Sequence, residues 1–272
     1  MMSTMTGVSV SEIVDFYRCR ACFLERLKNS GRGKQTVRSL LGEMLHELAG
    51  RCLRSEAETV EELYIYRRLD LKSLQQRYGE AAEEISRSIL WRYGDRLVQL
   101  GGSFEDAENL LTKTSKNIIE HRVLELFKGL RCMGFHQLLS NLNQRSFNKR
   151  LYSDALRVYG SPDMLEVGRV VEFKYSKPGP RRKVRKDVAL QLSLYSILSE
   201  ERNVRVVYLP SFIYEDFQIS NIMIEWALKV RDELFSFLSD IPEKVEHACI
   251  HQAQYLHVGG EPLWAGSTYS HQ

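Results

Sequence analysis

The sequence predicts an α/β protein with a helical N-terminal half. Apolar residues recur at helical spacing as far as about residue 150, and beyond it strand-like runs are interleaved with helical stripes. The 272 residues are 43% hydrophobic and 27% charged, a globular composition that builds a core of ordinary size. A disordered tail protein and a small disulfide-stapled scaffold are thereby excluded. Helices first, then strands with helices, place an α/β core behind a helical half.

Each element has its own signal. Ser9 followed by Glu12 fits a capping box, and Ile13, Phe16, Tyr17, Phe23 and Leu24 continue as one helical stripe until Gly31 and Gly33 break it. A second helix is expected from about Val37 to Leu53, with Leu40, Leu41, Met44, Leu45 and Leu48 on its buried side. Two longer helical stretches follow. One carries Leu74, Tyr78, Ala81, Ile85, Ile89 and Tyr93, and the other Ala107, Leu110, Leu111, Ile118 and Leu126, with Gly101-Gly102-Ser103 between them. Near residue 150 the pattern changes: Leu151 to Tyr159 and Arg169 to Tyr175 read as strands, with a turn at Gly168. A basic loop leads to a helix from about Asp187 to Ser199. Val204 to Leu209 and Phe212 to Phe217 read as a strand pair across Pro210, and Ile219, Met223, Trp226, Val230, Leu234 and Leu238 mark a last helix. The expected organisation is a helical part over 1–150, an α/β core over 151–241 and a polar tail over 242–272.

Global electrostatics say little, because 38 basic residues face 35 acidic ones. Any nucleic-acid preference must come from local clustering. Five cysteines (Cys19, Cys22, Cys52, Cys132 and Cys249) form an odd, sparse set that suits a reducing interior better than a secreted disulfide framework. No early apolar run resembles a signal segment, and no run approaches a membrane span, so a cytoplasmic protein with no membrane partner is expected.

The chemistry concentrates around Glu172. In Val170-Val171-Glu172-Phe173-Lys174-Tyr175, a two-residue period puts Glu172 and Lys174 on one face and Val171, Phe173 and Tyr175 on the other. Read alone, Glu172 and Lys174 fit a solvent-facing ion pair on a half-buried strand. Asp163, in Gly160-Ser161-Pro162-Asp163, changes that reading, because a hairpin between the two would set it beside Glu172. Two carboxylates held together repel unless a cation lies between them, and oxygen ligands suit magnesium or manganese. A lysine alongside would stabilise charge on a phosphoryl oxygen or position an attacking water.

Four motifs stand in one order: Gly42-Glu43-Met44-Leu45-His46 (GxxxH), Asp163 with Glu172-Phe173-Lys174 (D…ExK), and Gln191-Leu192-Ser193-Leu194-Tyr195 (QxxxY). Together they resemble the RecB-like branch of the PD-(D/E)XK nucleases, most nearly the CRISPR-associated RecB-like exonucleases, the Cas-four family. The resemblance implies a restriction-endonuclease-like core with a mixed central sheet flanked by helices. It further implies a Mg2+ or Mn2+ site held by His46, Asp163, Glu172 and the backbone carbonyl of Phe173. Asp163, Glu172 and Lys174 would carry the chemistry, with Gln191 and Tyr195 orienting the lysine or the scissile phosphate. The products would carry a 5′-phosphate and a 3′-hydroxyl. Gly42 and His46, four apart, share a helix face that glycine lets approach a neighbour closely.

Directly after the strand, Lys177, Arg181, Arg182, Lys183, Arg185 and Lys186 put six basic residues in ten positions. Placed beside a metal site, they are read as sequence-independent DNA contacts, where an isolated run would be a solvated surface.

Two features depart from the resemblance. Many relatives hold an iron–sulfur cluster on one N-terminal and three C-terminal cysteines. Here Cys19, Cys22 and Cys249 are the candidate ligands, Cys52 a candidate fourth, and the C-terminal trio is missing. A zinc site using His247, His251 or His257, and idle thiols, are the alternatives. The 117 residues from His46 to Asp163 exceed what compact members need and read as an inserted helical region. The leading reading is a divalent-metal DNA exonuclease acting on single-stranded ends in CRISPR spacer acquisition, with CRISPR adaptation proteins as partners. A repair or viral nuclease of the same chemistry and a non-catalytic DNA-binding subunit are the alternatives.

Overall fold

A computed structural model describes residues 7–28, 35–176, 183–241 and 255–257. In chain order the elements are β1 (Val8–Ser9), α1 (Val10–Arg18), α2 (Arg20–Lys28), α3 (Val37–Ile65), α4 (Leu71–Gln99) and α5 (Phe104–Asn143). Then come β2 (Ser146–Phe147), β3 (Leu151–Ser153), β4 (Val158–Gly160), β5 (Met164–Glu166), β6 (Arg169–Tyr175) and β7 (Lys183–Arg185). The chain continues through α6 (Lys186–Ser199), β8 (Asn203–Leu209), β9 (Ile213–Gln218), α7 (Asn221–Ser239) and β10 (Tyr255–His257).

A five-stranded sheet in the order β2-β5-β6-β8-β9 forms the centre, with β6 and β8 parallel and every other neighbour antiparallel. It is mixed, as expected. Helices cover both faces. Leu40, Met44, Leu48 and the inner faces of α4 and α5 pack with Val171, Phe173, Val207 and Leu209 on one side. Residues of α1, α6 and α7 pack with Val170, Val204, Val206 and Tyr208 on the other. β6 is therefore buried on both faces, which its Val/Phe-rich run fits and which removes the solvent-facing ion-pair reading of Glu172. A smaller sheet, β1-β4-β3, ties the N-terminus to the core through the parallel pair β1 and β4.

The caps follow the sequence. Ser9 Oγ accepts the N–H of Glu12 at 3.1 Å while Glu12 Oε2 accepts that of Ser9 at 2.6 Å. Ser103 and Ser220 cap α5 and α7 through the hydroxyl alone, accepting the N–H of Asp106 and Met223. Other expectations need correction. The first stripe is two helices, because Cys19 adopts an extended backbone and its Sγ accepts the N–H of Cys22 at 3.3 Å, starting α2 anew. Leu151–Tyr159 is not one strand but the hairpin β3–β4, turned at residues 154–157 with Arg157 at φ 53°. β5 lies in what reads as connection, and Ile219 precedes the cap of α7.

The second helix runs twelve residues past Leu53, to Ile65. Its later buried face includes Glu56, fully enclosed, which interrupts the apolar period. Arg122 Nε and Nη2 donate to the two Glu56 oxygens at 2.6 and 2.7 Å, Arg145 Nη1 donates at 2.6 Å, and Tyr78 OH at 3.2 Å. α3, α4 and α5 are thus tied to one another by a buried ionic cluster. Arg145 also reaches Glu166 of β5 at 3.3 Å, linking the cluster to the sheet.

Candidate active site

β5 and β6 form the hairpin that carries the carboxylates. Their ladder ends at Met164 opposite Val171. Beyond it, the N–H of Phe173 donates to Asp163 Oδ2 at 2.7 Å, so the Asp163 side chain continues the pairing where the strand stops. The backbone of Asp163 is anchored as well: its carbonyl accepts the N–H of Asn148 at 3.2 Å, and Asn148 sits at φ 52°, a conformation asparagine tolerates. Asn148 escaped the sequence reading, since an asparagine after a short strand carries no distinctive signal.

α3 brings His46 to this point. Its Nδ1 lies 3.2 Å from Asp163 Oδ1, and the ring stands edge-on to Phe173, centroids 5.9 Å apart. Four residues earlier, Gly42 packs on Tyr175, but a Cβ there would meet the ring at an ordinary 3.5 Å. The close approach expected of Gly42 does not demand glycine.

On the α6 side, Lys174 Nζ donates to Glu172 Oε1 at 2.8 Å and to Gln191 Oε1 at 2.6 Å. Gln191 Nε2 donates back to Glu172 Oε1 at 2.8 Å and lies 3.3 Å from the Tyr195 hydroxyl, which donates to the carbonyl of Ser161 at 3.1 Å. Gln191 and Tyr195, one turn apart, therefore connect the lysine to the segment just before Asp163. Tyr195 reaches in because residue 160 is glycine: a Cβ there would stand 2.8 Å from both the Tyr195 ring and Val10. Gly160→Ala is expected to cost roughly 1–3 kcal/mol of stability by overpacking, measured by denaturant unfolding.

Glu172 is 4% exposed, and burial, then the neighbouring Asp163 carboxylate, push its carboxyl up to about 7 against the pull of Lys174 and His46. Its Oε2 is buried and has no hydrogen-bond partner among the described residues. An orphaned carboxylate oxygen beside a second carboxylate and an imidazole is a donor set that fits Mg2+ or Mn2+. No three His, Cys, Asp or Glu side chains already converge as a metal site among the described residues, and His46 and Asp163 close on each other. His46 and Asp163 border a cleft of about 340 Å³, whose walls also include Arg54, Arg92, Phe147 and Asn148.

The other expected sites divide. Lys177, Arg181, Arg182 and Cys249 lie outside the described residues, as do His247 and His251; the side chains of Lys183 and His257 do too. Arg185 is half-buried and clasps Asp187 at 2.7 and 3.0 Å, and Arg18 shares that carboxylate at 2.6 Å. Lys186 opens α6, half-buried. Cys19 is buried and Cys22 exposed at the α1–α2 junction. Cys52 is buried among the α3–α5 helices, and burial and Glu56 push its thiol up to about 12.

Two carboxylates at a hairpin, a lysine on the same strand and a histidine from a preceding helix converge at this point of the fold. The family model of the PD-(D/E)XK nuclease superfamily matches residues 7–213, about three quarters of the chain, and the chain belongs to that superfamily. Pro162-Asp163 and Glu172-Phe173-Lys174 spell the motif that names it. Metal-dependent phosphodiester hydrolysis is the chemistry of this superfamily. No curated protein matches the chain. No helix among the described residues is long and apolar enough to cross a membrane.

Proposed function

We propose that this chain is a divalent-metal-dependent DNA exonuclease acting on single-stranded ends. The observation that carries the reading is the orphaned, buried Glu172 Oε2 beside Asp163, with Lys174 held next to it. His46, Asp163, Glu172 and the Phe173 carbonyl would hold the ion. When bound, a divalent cation lowers the pKa of its water and offsets the charge that grows on the phosphate.

The chain's own groups do the rest. Glu172 Oε1 and Gln191 Oε1 take two of the three Lys174 ammonium protons, which aims the side chain and leaves the third for a phosphoryl oxygen or the attacking water. Tyr195 positions Gln191 through its own anchor on Ser161. His46 and Asp163 open on a cleft of about 340 Å³, which has room for a nucleotide-sized group. A role in trimming ends for CRISPR spacer acquisition draws its support from the order of the GxxxH, D…ExK and QxxxY motifs.

The test uses end-labelled single-stranded and duplex DNA with Mg2+, Mn2+ or EDTA. Stepwise shortening of the single strand, in metal only, is expected, with products carrying 5′-phosphates. Internal nicking of duplex with no end dependence would replace the exonuclease reading with an endonuclease one.

A further inference from the structure

We propose that the face of α3 bearing His46, Gly50 and Arg54 is a track that holds one nucleic-acid strand, with Arg54 binding a backbone phosphate next to the scissile one. The inference rests on the nuclease reading above and names the path of its substrate. The three residues are four apart, so they lie in line along the helix and form one wall of the cleft. At the middle of that line Gly50 is itself buried, yet a Cβ on it would meet no atom within 4 Å, so no side chain fills the space beside it between His46 and Arg54.

The charges are sorted to suit a phosphate. Glu47 is engaged by Arg92 at 2.8 Å and by the Tyr93 hydroxyl at 2.9 Å, and Tyr93 also reaches Glu43 at 3.2 Å. These carboxylates are thereby occupied on the α4 side. Arg54 is exposed and pairs with no carboxylate among the described residues; instead its guanidinium lies 4.7 Å over the Phe147 ring. A guanidinium stacked on an aromatic ring is held in place, with its N–H edge free for bidentate contact with a phosphate. Phe147 belongs to β2 and directly precedes Asn148, the residue that anchors Asp163. Arg54 is thus registered against the catalytic carboxylate through two consecutive residues.

The test measures binding apart from cleavage. Fluorescein-labelled dT12 is titrated with wild type, Arg54→Ala, Arg54→Lys and Gly50→Leu in EDTA, across a salt series, by anisotropy. Arg54→Ala is expected to weaken binding by about tenfold and to reduce the salt slope by about 0.7, the loss of one phosphate contact on a single strand. Arg54→Lys should restore the slope and part of the affinity, since charge returns without the planar fork. Gly50→Leu places a side chain in the space beside Gly50, so it should bind dT12 more weakly. With Mn2+ added, the ratio of kcat/KM on dT12 to that on bis(p-nitrophenyl) phosphate should fall about tenfold in Arg54→Ala. Wild-type affinity and slope in Arg54→Ala would overturn the track. A wild type that cleaves neither substrate, while Arg54→Ala still lowers dT12 affinity and slope, would instead overturn the nuclease reading and leave the strand contact standing.

Discussion

Asp163→Ala is expected to lower metal-dependent cleavage by at least about 10³-fold, the scale of several kcal/mol of lost transition-state stabilisation. The residue meets three demands at once. Its oxygens satisfy Phe173 N–H and reach His46, and its charge joins that of Glu172 to make a cation favourable. Lys174→Ala should cost about 10²–10³-fold, the loss of one aimed donor. Glu172→Gln separates folding from chemistry. It removes the carboxylate charge but keeps a side chain of the same shape, whose amide oxygen can still accept from Lys174, so the protein is expected to stay folded in EDTA while cleavage is lost. Mn2+ should raise the thermal midpoint of the wild type and much less that of Asp163→Ala or Glu172→Gln, because ligand binding to the native state alone is stabilising. Cleavage equal to wild type in all three variants would place the chemistry elsewhere.

The second large effect lies away from the site. Glu56→Ala is expected to destabilise the protein by about 3–5 kcal/mol, lowering the thermal midpoint by roughly 6–20 °C, because the buried Arg122 and Arg145 would lose their shared core carboxylate and keep only Glu125 and Glu166 nearer the surface. Thermal unfolding followed by circular dichroism measures it. Burial opposes ionisation of Glu56, but the guanidinium groups of Arg122 and Arg145 overcome it and hold the carboxyl below its ordinary 4.5. A depressed native value means that the stabilisation is complete above pH 4.5 and is lost as pH falls through the lower native value. The wild type should therefore lose stability with acid more steeply than Glu56→Ala below pH 4.5; parallel curves would remove the cluster from the account.

These two effects also mark how far the sequence could be read. The carboxylate hairpin was legible because Glu172 and Lys174 alternate on a strand and Asp163 lies a hairpin's length away. The i,i+4 pairs Gln191/Tyr195 and Gly42/His46 were legible because helical spacing alone places them on one face. Glu56 was not: a carboxylate on an apolar face reads as the end of a helix, and only Arg122 and Arg145, 66 and 89 residues further on, make it a core residue. The hairpin turn at Arg157 was hidden because its positive φ falls on a residue with no such preference. The separate start of α2 was hidden because a cysteine sulfur is not an ordinary cap.

Residue types and spacings along the chain were enough to place an α/β core behind helices and to mark the acids, lysine and histidine that the fold brings together, since alternation and helical period are local properties of the backbone. Contacts between distant segments decided the remainder: that β6 is enclosed on both faces, that Gly160 admits Tyr195, and that Arg54 rests on Phe147 beside the cleft. Burial and charge compensation depend on which segments meet in space, and no one-dimensional pattern records that.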